Sequence, residues 1–267
     1  MTAWPTFLAG MAPPHRMLLI VALLYGTVKF LVLLEWRLGE RRWFDTPGGF
    51  AWFLLIWPGT NPDEFLRRGA PRPEWTRRGV VSIFLGMGLL AAAHWASADA
   101  LPQWMVAVLL LPGLSLVVHF GIFSILAGWT RRQGWAVALP FGNVFHLRNL
   151  RDFWSRVWNR PFTGFLVRLV ARPLHRRWGL SRRATLWLGF LVSGLLHELA
   201  ITLPAGAGYG GPTLYFLLQA FGCERQGKRP TPNRLITYAW IILPVPLVFP
   251  EAFIVGILYP LTGLPTY

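Results

Sequence analysis

His197 and Glu198 stand side by side in the stretch 183–203, RATLWLGFLVSGLLHELAITL, which is otherwise long and apolar enough to cross a bilayer. An ionisable side chain inside such a span is costly, so it reads as a functional group by default. Histidine is the side chain whose ordinary pKa, near 6.5, suits taking a proton from a reacting group at neutral pH. Ser193 lies one helical turn earlier and shares the face of His197, within reach of the ring or of a substrate carbonyl. Glu198 points about 100° away around the helix and is better placed to orient a neighbouring element than to pair with His197. A zinc site of the H-E-x-x-H kind fails at its second ligand, because position 201 is Ile. His94 and His119 also sit in apolar runs, where a lone histidine more often bonds to a neighbouring helix. Nothing at ligand spacing joins them to His197, so no metal is expected. The single cysteine, Cys223, excludes a disulfide framework and a Cys-based zinc site.

A second cluster lies upstream. Segment 148–183 carries ten arginines against a single acid, Asp152, with Phe153, Trp154, Trp158, Phe162 and Phe165 spaced among them as on a helix. That pattern predicts an amphipathic helix at a membrane interface. It does not account for Asn159, a polar amide two residues before the helix breaker Pro161. Arg151, Arg156 and Arg160 are close by in sequence, and guanidinium forks pair well with phosphate, of a ligand or of lipid headgroups.

These groups need elements to hold them, and the composition says which kind. The chain is 54% hydrophobic and 14% charged, against about 25% charged in a soluble domain. Spans need roughly 20 apolar residues, and candidates run over 17–34, 79–98, 102–127, 183–203, 209–222 and 234–250. Segments 47–58 and 135–145 are too short to cross and suit re-entrant or interfacial helices, while 252–262 is borderline. Pro112-Gly113 interrupts the third span and predicts a kink or a cavity wall. The expectation is an all-α polytopic transmembrane bundle of about seven to nine helices, with re-entrant or interfacial amphipathic helices, forming a single domain over 1–267.

The formal net charge of +15 is not spread over one face, which argues against nucleic acid as a partner: 24 of the 26 Lys and Arg fall in segments 37–78, 131–183 and 225–234. The alternate gaps, 99–101 and 204–208, hold only Asp99. By the positive-inside rule the basic segments are cytoplasmic, as in a multi-pass protein of a bacterial inner membrane. The start, MTAWPTFLAGMAPPHRM, lacks a signal-peptide layout and is expected to be retained. The glycines at 206–211 follow no strand, so they read as helix-entry flexibility rather than a nucleotide loop.

Two blocks, DFWSRVWNRPF at 152–162 and SGLLHEL at 193–199, resemble the two signature regions of the membrane-bound O-acyltransferase superfamily, most closely its wax synthase branch. FLLIWPGTNPDEF at 53–65 and GYGGPTLYFLLQAFGCE at 208–224 are similar to further elements of that branch. The resemblance implies an acyltransferase in which His197 is the catalytic base and Asn159 the second catalytic residue. It implies substrate-binding positions at Asp152, Trp154, Arg156, Trp158, Ser193, Glu198 and Gln219, and no cofactor beyond acyl-CoA as co-substrate. The partners implied are acyl-CoA, a hydroxyl-bearing lipid or small alcohol, and membrane lipids. The chemistry agrees: an alcohol attacking a thioester must lose its proton as it attacks, and a positioned base is worth roughly 10² to 10⁴ in rate. His197 lies about 14 residues, roughly 21 Å of helix rise, from Arg182 and Arg183, a depth that a donor with a charged head and a long acyl arm can bridge. A non-catalytic transporter or lipid-binding scaffold is the alternative, but transporters need paired charges within spans, and acids there are scarce apart from Glu198. Acyl length, acceptor and oligomeric state are not encoded in these motifs.

Overall fold

A computed structural model of the protein describes residues 10–98, 101–226 and 233–264. The first nine residues, Asp99 and the centre of the 225–234 basic segment lie outside the described residues. Within them the chain is helical, with no strand and an isolated antiparallel bridge between Arg68 and Trp135. The helices are α1 (Pro13–Leu38), α2 (Pro47–Leu55), α3 (Pro73–Ala98), α4 (Gln103–Arg132), α5 (150–157), α6 (160–178), α7 (Arg182–Ala205), α8 (Gly211–Gln226), α9 (Arg234–Val248) and α10 (Glu251–Thr262). Local sequence sets several starts: the side chains of Thr46, Asn149, Ser181 and Asn233 each accept a first-turn backbone N–H, leaving fewer orphan donors.

Four helices, α1, α3, α4 and α7, are long and apolar enough to cross a membrane, and α9 with α10, bent by 70° at Pro250, would make a fifth. Their outward faces carry Leu23, Phe30, Phe84, Trp95, Trp104 and Val108 exposed, a surface that suits lipid rather than water. This is an integral membrane protein. The stretch 209–222 falls largely on α8, 16 described residues long. Segment 47–58 contains the nine-residue α2, and 135–145 is irregular apart from the start of a short 3₁₀ turn at Val144–His146. Pro112 lies inside α4, which widens into a π turn at Leu116–Ile122 and then continues. The amphipathic helix expected over 148–183 is broken: α5 stops and α6 begins on either side of Trp158-Asn159, and α6 ends at Gly179 with φ 65°.

Contacts divide the chain into two compact units, one of Met1–Thr27, Leu147–Phe153 and Leu166–Tyr267, the other of Val28–His146 and Trp154–Phe165. In the first, α7 packs along α8; in the second, α3 packs along α4. The α3–α4 contact is close enough that a Cβ at Gly86 would fall 2.8 Å from the Gly113 carbonyl. Small residues are what allow such backbone approach between membrane helices.

Candidate active site

In the first unit, His197 ends the α-helical part of α7, and a π turn, Glu198–Thr202, starts at the next residue. Such turns often accompany functional positions. His197 Nδ1 lies 2.7 Å from the Ser193 carbonyl oxygen. A carbonyl can only accept, so Nδ1 carries the ring proton and Nε2 is the basic nitrogen. The ring packs on Phe216 of α8, with centroids 4.4 Å apart, which fixes its plane. Ser193 therefore meets the imidazole through its backbone, while its hydroxyl donates to the Gly189 carbonyl at 3.0 Å.

Glu198 faces α8. Its Oε1 accepts from the Thr213 backbone N–H at 3.0 Å and from the Thr213 hydroxyl at 2.9 Å, and its Oε2 accepts from the Thr202 hydroxyl. A carboxylate at the first turn of α8 also meets the positive end of that helix. Glu198 thus joins the His197 helix to α8, and Gly194 sets how near they come, since a Cβ there would sit 2.7 Å from Thr213 Cα. Gly194→Ala is expected to push the start of α8 away and destabilise the fold by about 1 to 3 kcal/mol. Thermal unfolding in detergent, followed by tryptophan fluorescence, should register a lower midpoint than in the wild type.

Gln219 is fully buried on α8 and donates to the Trp240 carbonyl at 2.7 Å. Position 244, whose N–H would serve that carbonyl in a helix, is proline. Gln219 supplies the missing donor, and Tyr215, one turn away, donates to the next carbonyl, Ile241, at 3.3 Å. Asp152 also has local work: its N–H donates to Asn149 Oδ1 at 2.9 Å, and its Oδ2 accepts from the Arg148 N–H at 3.3 Å, a near relative of the capping box. Glu224, the last residue of the 208–224 stretch, accepts from Trp187 Nε1 at 3.0 Å and Arg183 Nε at 3.1 Å, tying α8 to the first turns of α7.

The second unit holds Asn159. Its φ is 42°, a left-handed conformation uncommon for a residue with a side chain. The surrounding backbone holds it there. Arg160 N donates to the Pro140 carbonyl at 3.0 Å, Gly142 N to the Val157 carbonyl at 2.8 Å, the Thr163 hydroxyl to the Trp154 carbonyl at 2.7 Å, and the Thr60 hydroxyl to the Pro161 carbonyl at 2.6 Å. Asn159 Oδ1 accepts from Phe162 N at 3.3 Å, capping α6 and leaving the Nδ2 protons for another acceptor. Strain sustained in this way gathers at functional sites. Trp158 packs on His119 and Phe141, with ring centroids 5.4 and 5.1 Å away, and His119 Nδ1 lies 3.2 Å from the Ser115 hydroxyl. Arg151, Arg156 and Arg160 are exposed. No group of three His, Cys, Asp or Glu able to hold a metal occurs among the described residues.

Glu64, in the turn after α2, accepts from Trp57 Nε1 at 3.2 Å. Burial pushes its carboxyl up to about 7, opposed in part by the Trp57 hydrogen bond, Arg160, the Ala138 backbone and Arg131. Because the folded value lies above the ordinary one, the neutral carboxyl favours folding below pH 4.5 and that contribution is lost as pH rises through 7. A stability loss on the order of 1 to 3 kcal/mol over that window is expected, and Glu64→Gln should flatten it. Melting midpoints across the window, in wild type and variant, provide the check.

Residues 135–218 match the model of the Membrane bound O-acyl transferase family. The chain is 39% identical over 75 residues to Acetyltransferase sirH of Emericella nidulans, covering 26% of this chain and 18% of that protein. It is 30% identical over 135 residues to Probable long-chain-alcohol O-fatty-acyltransferase 1 of Arabidopsis thaliana, covering 48% and 38%. It is 38% identical over 60 residues to Diacylglycerol O-acyltransferase 1B of Glycine max, covering 22% and 12%. The matched stretches are thus well under half the length of each relative. Both blocks that bear Asn159 and His197 fall inside the family match, so the stretch that carries them is similar to the membrane-bound O-acyltransferase family.

Proposed function

We propose that this protein is a membrane-embedded O-acyltransferase that moves an acyl group from acyl-CoA to the hydroxyl of an alcohol, as a wax ester synthase does. The observation that carries the reading is the 2.7 Å bond from His197 Nδ1 to the Ser193 carbonyl, which leaves Nε2 as the base. Nε2 takes the hydroxyl proton as the alcohol oxygen attacks the thioester carbon. The tetrahedral intermediate collapses with cleavage of the C–S bond, and the imidazolium returns the proton to the departing thiolate. Asn159 Nδ2 donates to the thioester oxygen as charge develops there. Arg151, Arg156 and Arg160 are assigned to the CoA phosphates, on the cytoplasmic side of a bacterial inner membrane. The acyltransferase names of the relatives support the transfer chemistry, and the Arabidopsis protein's name supports a long-chain alcohol as acceptor. Purified protein supplied with radiolabelled palmitoyl-CoA and hexadecanol should form wax ester. Screening donors from acetyl to stearoyl against a panel of alcohols then fixes the preference; no ester with any pair would overturn the proposal.

A further inference from the structure

Lys29 lies in the middle of α1, within an apolar run, and is 1% exposed. Its ammonium donates to three backbone carbonyls: Phe53 at 2.6 Å, Trp57 at 2.9 Å and Gly59 at 2.6 Å. The Phe53 ring lies beneath it, 3.6 Å from Nζ to the centroid. An ammonium has three protons and no acceptor, and three carbonyls converge on it. The Phe53 carbonyl is open to it because α2 ends at Leu55 and the last carbonyls of a helix have no donor within the helix, while Trp57 and Gly59 lie on the chain just beyond. Trp57 N turns back to the Trp52 carbonyl at 2.9 Å, so the chain leaves α2 as a loop wrapped around Nζ.

That loop continues into the Asn159 turn. Thr60, next to Gly59 and itself buried, donates to the Pro161 carbonyl at 2.6 Å across 101 residues of sequence. Pro161 is two residues from Asn159, whose left-handed backbone must be held by its surroundings. We propose that Lys29 is a positioning residue for Asn159: its ammonium fixes the 57–60 loop, and Thr60 on that loop fixes the turn that presents the Asn159 amide. Burying a charge in a membrane helix is expensive, and a methionine would fill the same volume without it. What the charge adds is direction, since three carbonyls aimed at one point leave the loop one conformation. The inference rests on the reading of Asn159 as part of the acyl-transfer site, and its test separates the two.

Lys29→Met, Lys29→Arg and Thr60→Val are compared with wild type by amide hydrogen exchange in detergent and by steady-state kinetics with palmitoyl-CoA and hexadecanol. Lys29→Met should speed exchange about tenfold or more in both 57–64 and 158–163, leaving α7 unchanged, whereas Thr60→Val should do so in 158–163 alone. Both should lower kcat by about tenfold with KM for the donor nearly constant, and the double variant should be no worse than Lys29→Met. Lys29→Arg, which keeps charge and donors, should recover part of kcat. Unchanged exchange at 158–163 in Lys29→Met, or additive losses in the double variant, would overturn the coupling. Faster exchange at 158–163 with undiminished kcat would overturn the positioning role while leaving the His197 chemistry standing.

Discussion

Replacing His197 with alanine is expected to lower acyl transfer by at least 10²-fold, toward the upper end of the roughly 10² to 10⁴ that a positioned general base contributes. The expectation follows from the tautomer. With Nδ1 held on the Ser193 carbonyl and the ring pressed on Phe216, Nε2 has one direction in which to meet a hydroxyl. Alanine removes the base and opens a gap beside Phe216, so His197→Gln is the sharper variant: its amide can still donate to the Ser193 carbonyl and fill the space, yet it cannot take a proton. Both should elute as the wild type on size exclusion, and the glutamine variant should melt within a few degrees of it. Turnover in His197→Gln comparable to wild type would remove His197 from the chemistry. A loss of kcat with KM unchanged would mark an interaction made in the transition state alone.

The sequence pointed to His197 because burial of an ionisable group in a span is anomalous on hydropathy alone. The same rule applies to Lys29, which sits in the run 17–34. Its partners could not have been read in any case, since they lie 24, 28 and 30 residues away, on a loop whose path is set by tertiary packing. Gln219 shows a different limit. The proline at 244 was visible, and so was the loss of an N–H that it brings, but nothing in the sequence said which side chain would serve the orphaned Trp240 carbonyl. The break at Trp158-Asn159 was hinted at by Pro161 and hidden by the regular aromatic spacing on either side, which favours one continuous helix. Span lengths were legible where hydropathy decides them, as in α3, α4 and α7. At 209–222 part of the apolar character serves packing within the unit, since Tyr215, Phe216, Ala220 and Cys223 of α8 are buried, while Leu214 on the same helix is exposed.

Asn159 offers the second large effect, and three substitutions separate its structural work from its chemistry. Asn159→Ala removes the cap on Phe162 N and asks a Cβ-bearing residue without a polar side chain to hold φ at 42°; the two together should cost about 1 to 3 kcal/mol of stability. Asn159→Gly relieves the backbone and loses the amide, and glycine is itself tolerated at a cap, so its melting midpoint should stay close to wild type. Asn159→Asp keeps an oxygen for Phe162 N but replaces the Nδ2 donor with an acceptor, and sets a negative charge where the proposed oxyanion develops. If Asn159 served only to end one helix and begin the next, Gly and Asp would retain turnover and Ala alone would suffer. If its Nδ2 stabilises the tetrahedral intermediate, all three lose kcat by about 10² to 10³, with Asp the most affected because it adds repulsion to the missing donor. The ordering of Gly against Asp in kcat, taken beside their melting midpoints, therefore decides between a cap and a catalytic amide at a single position.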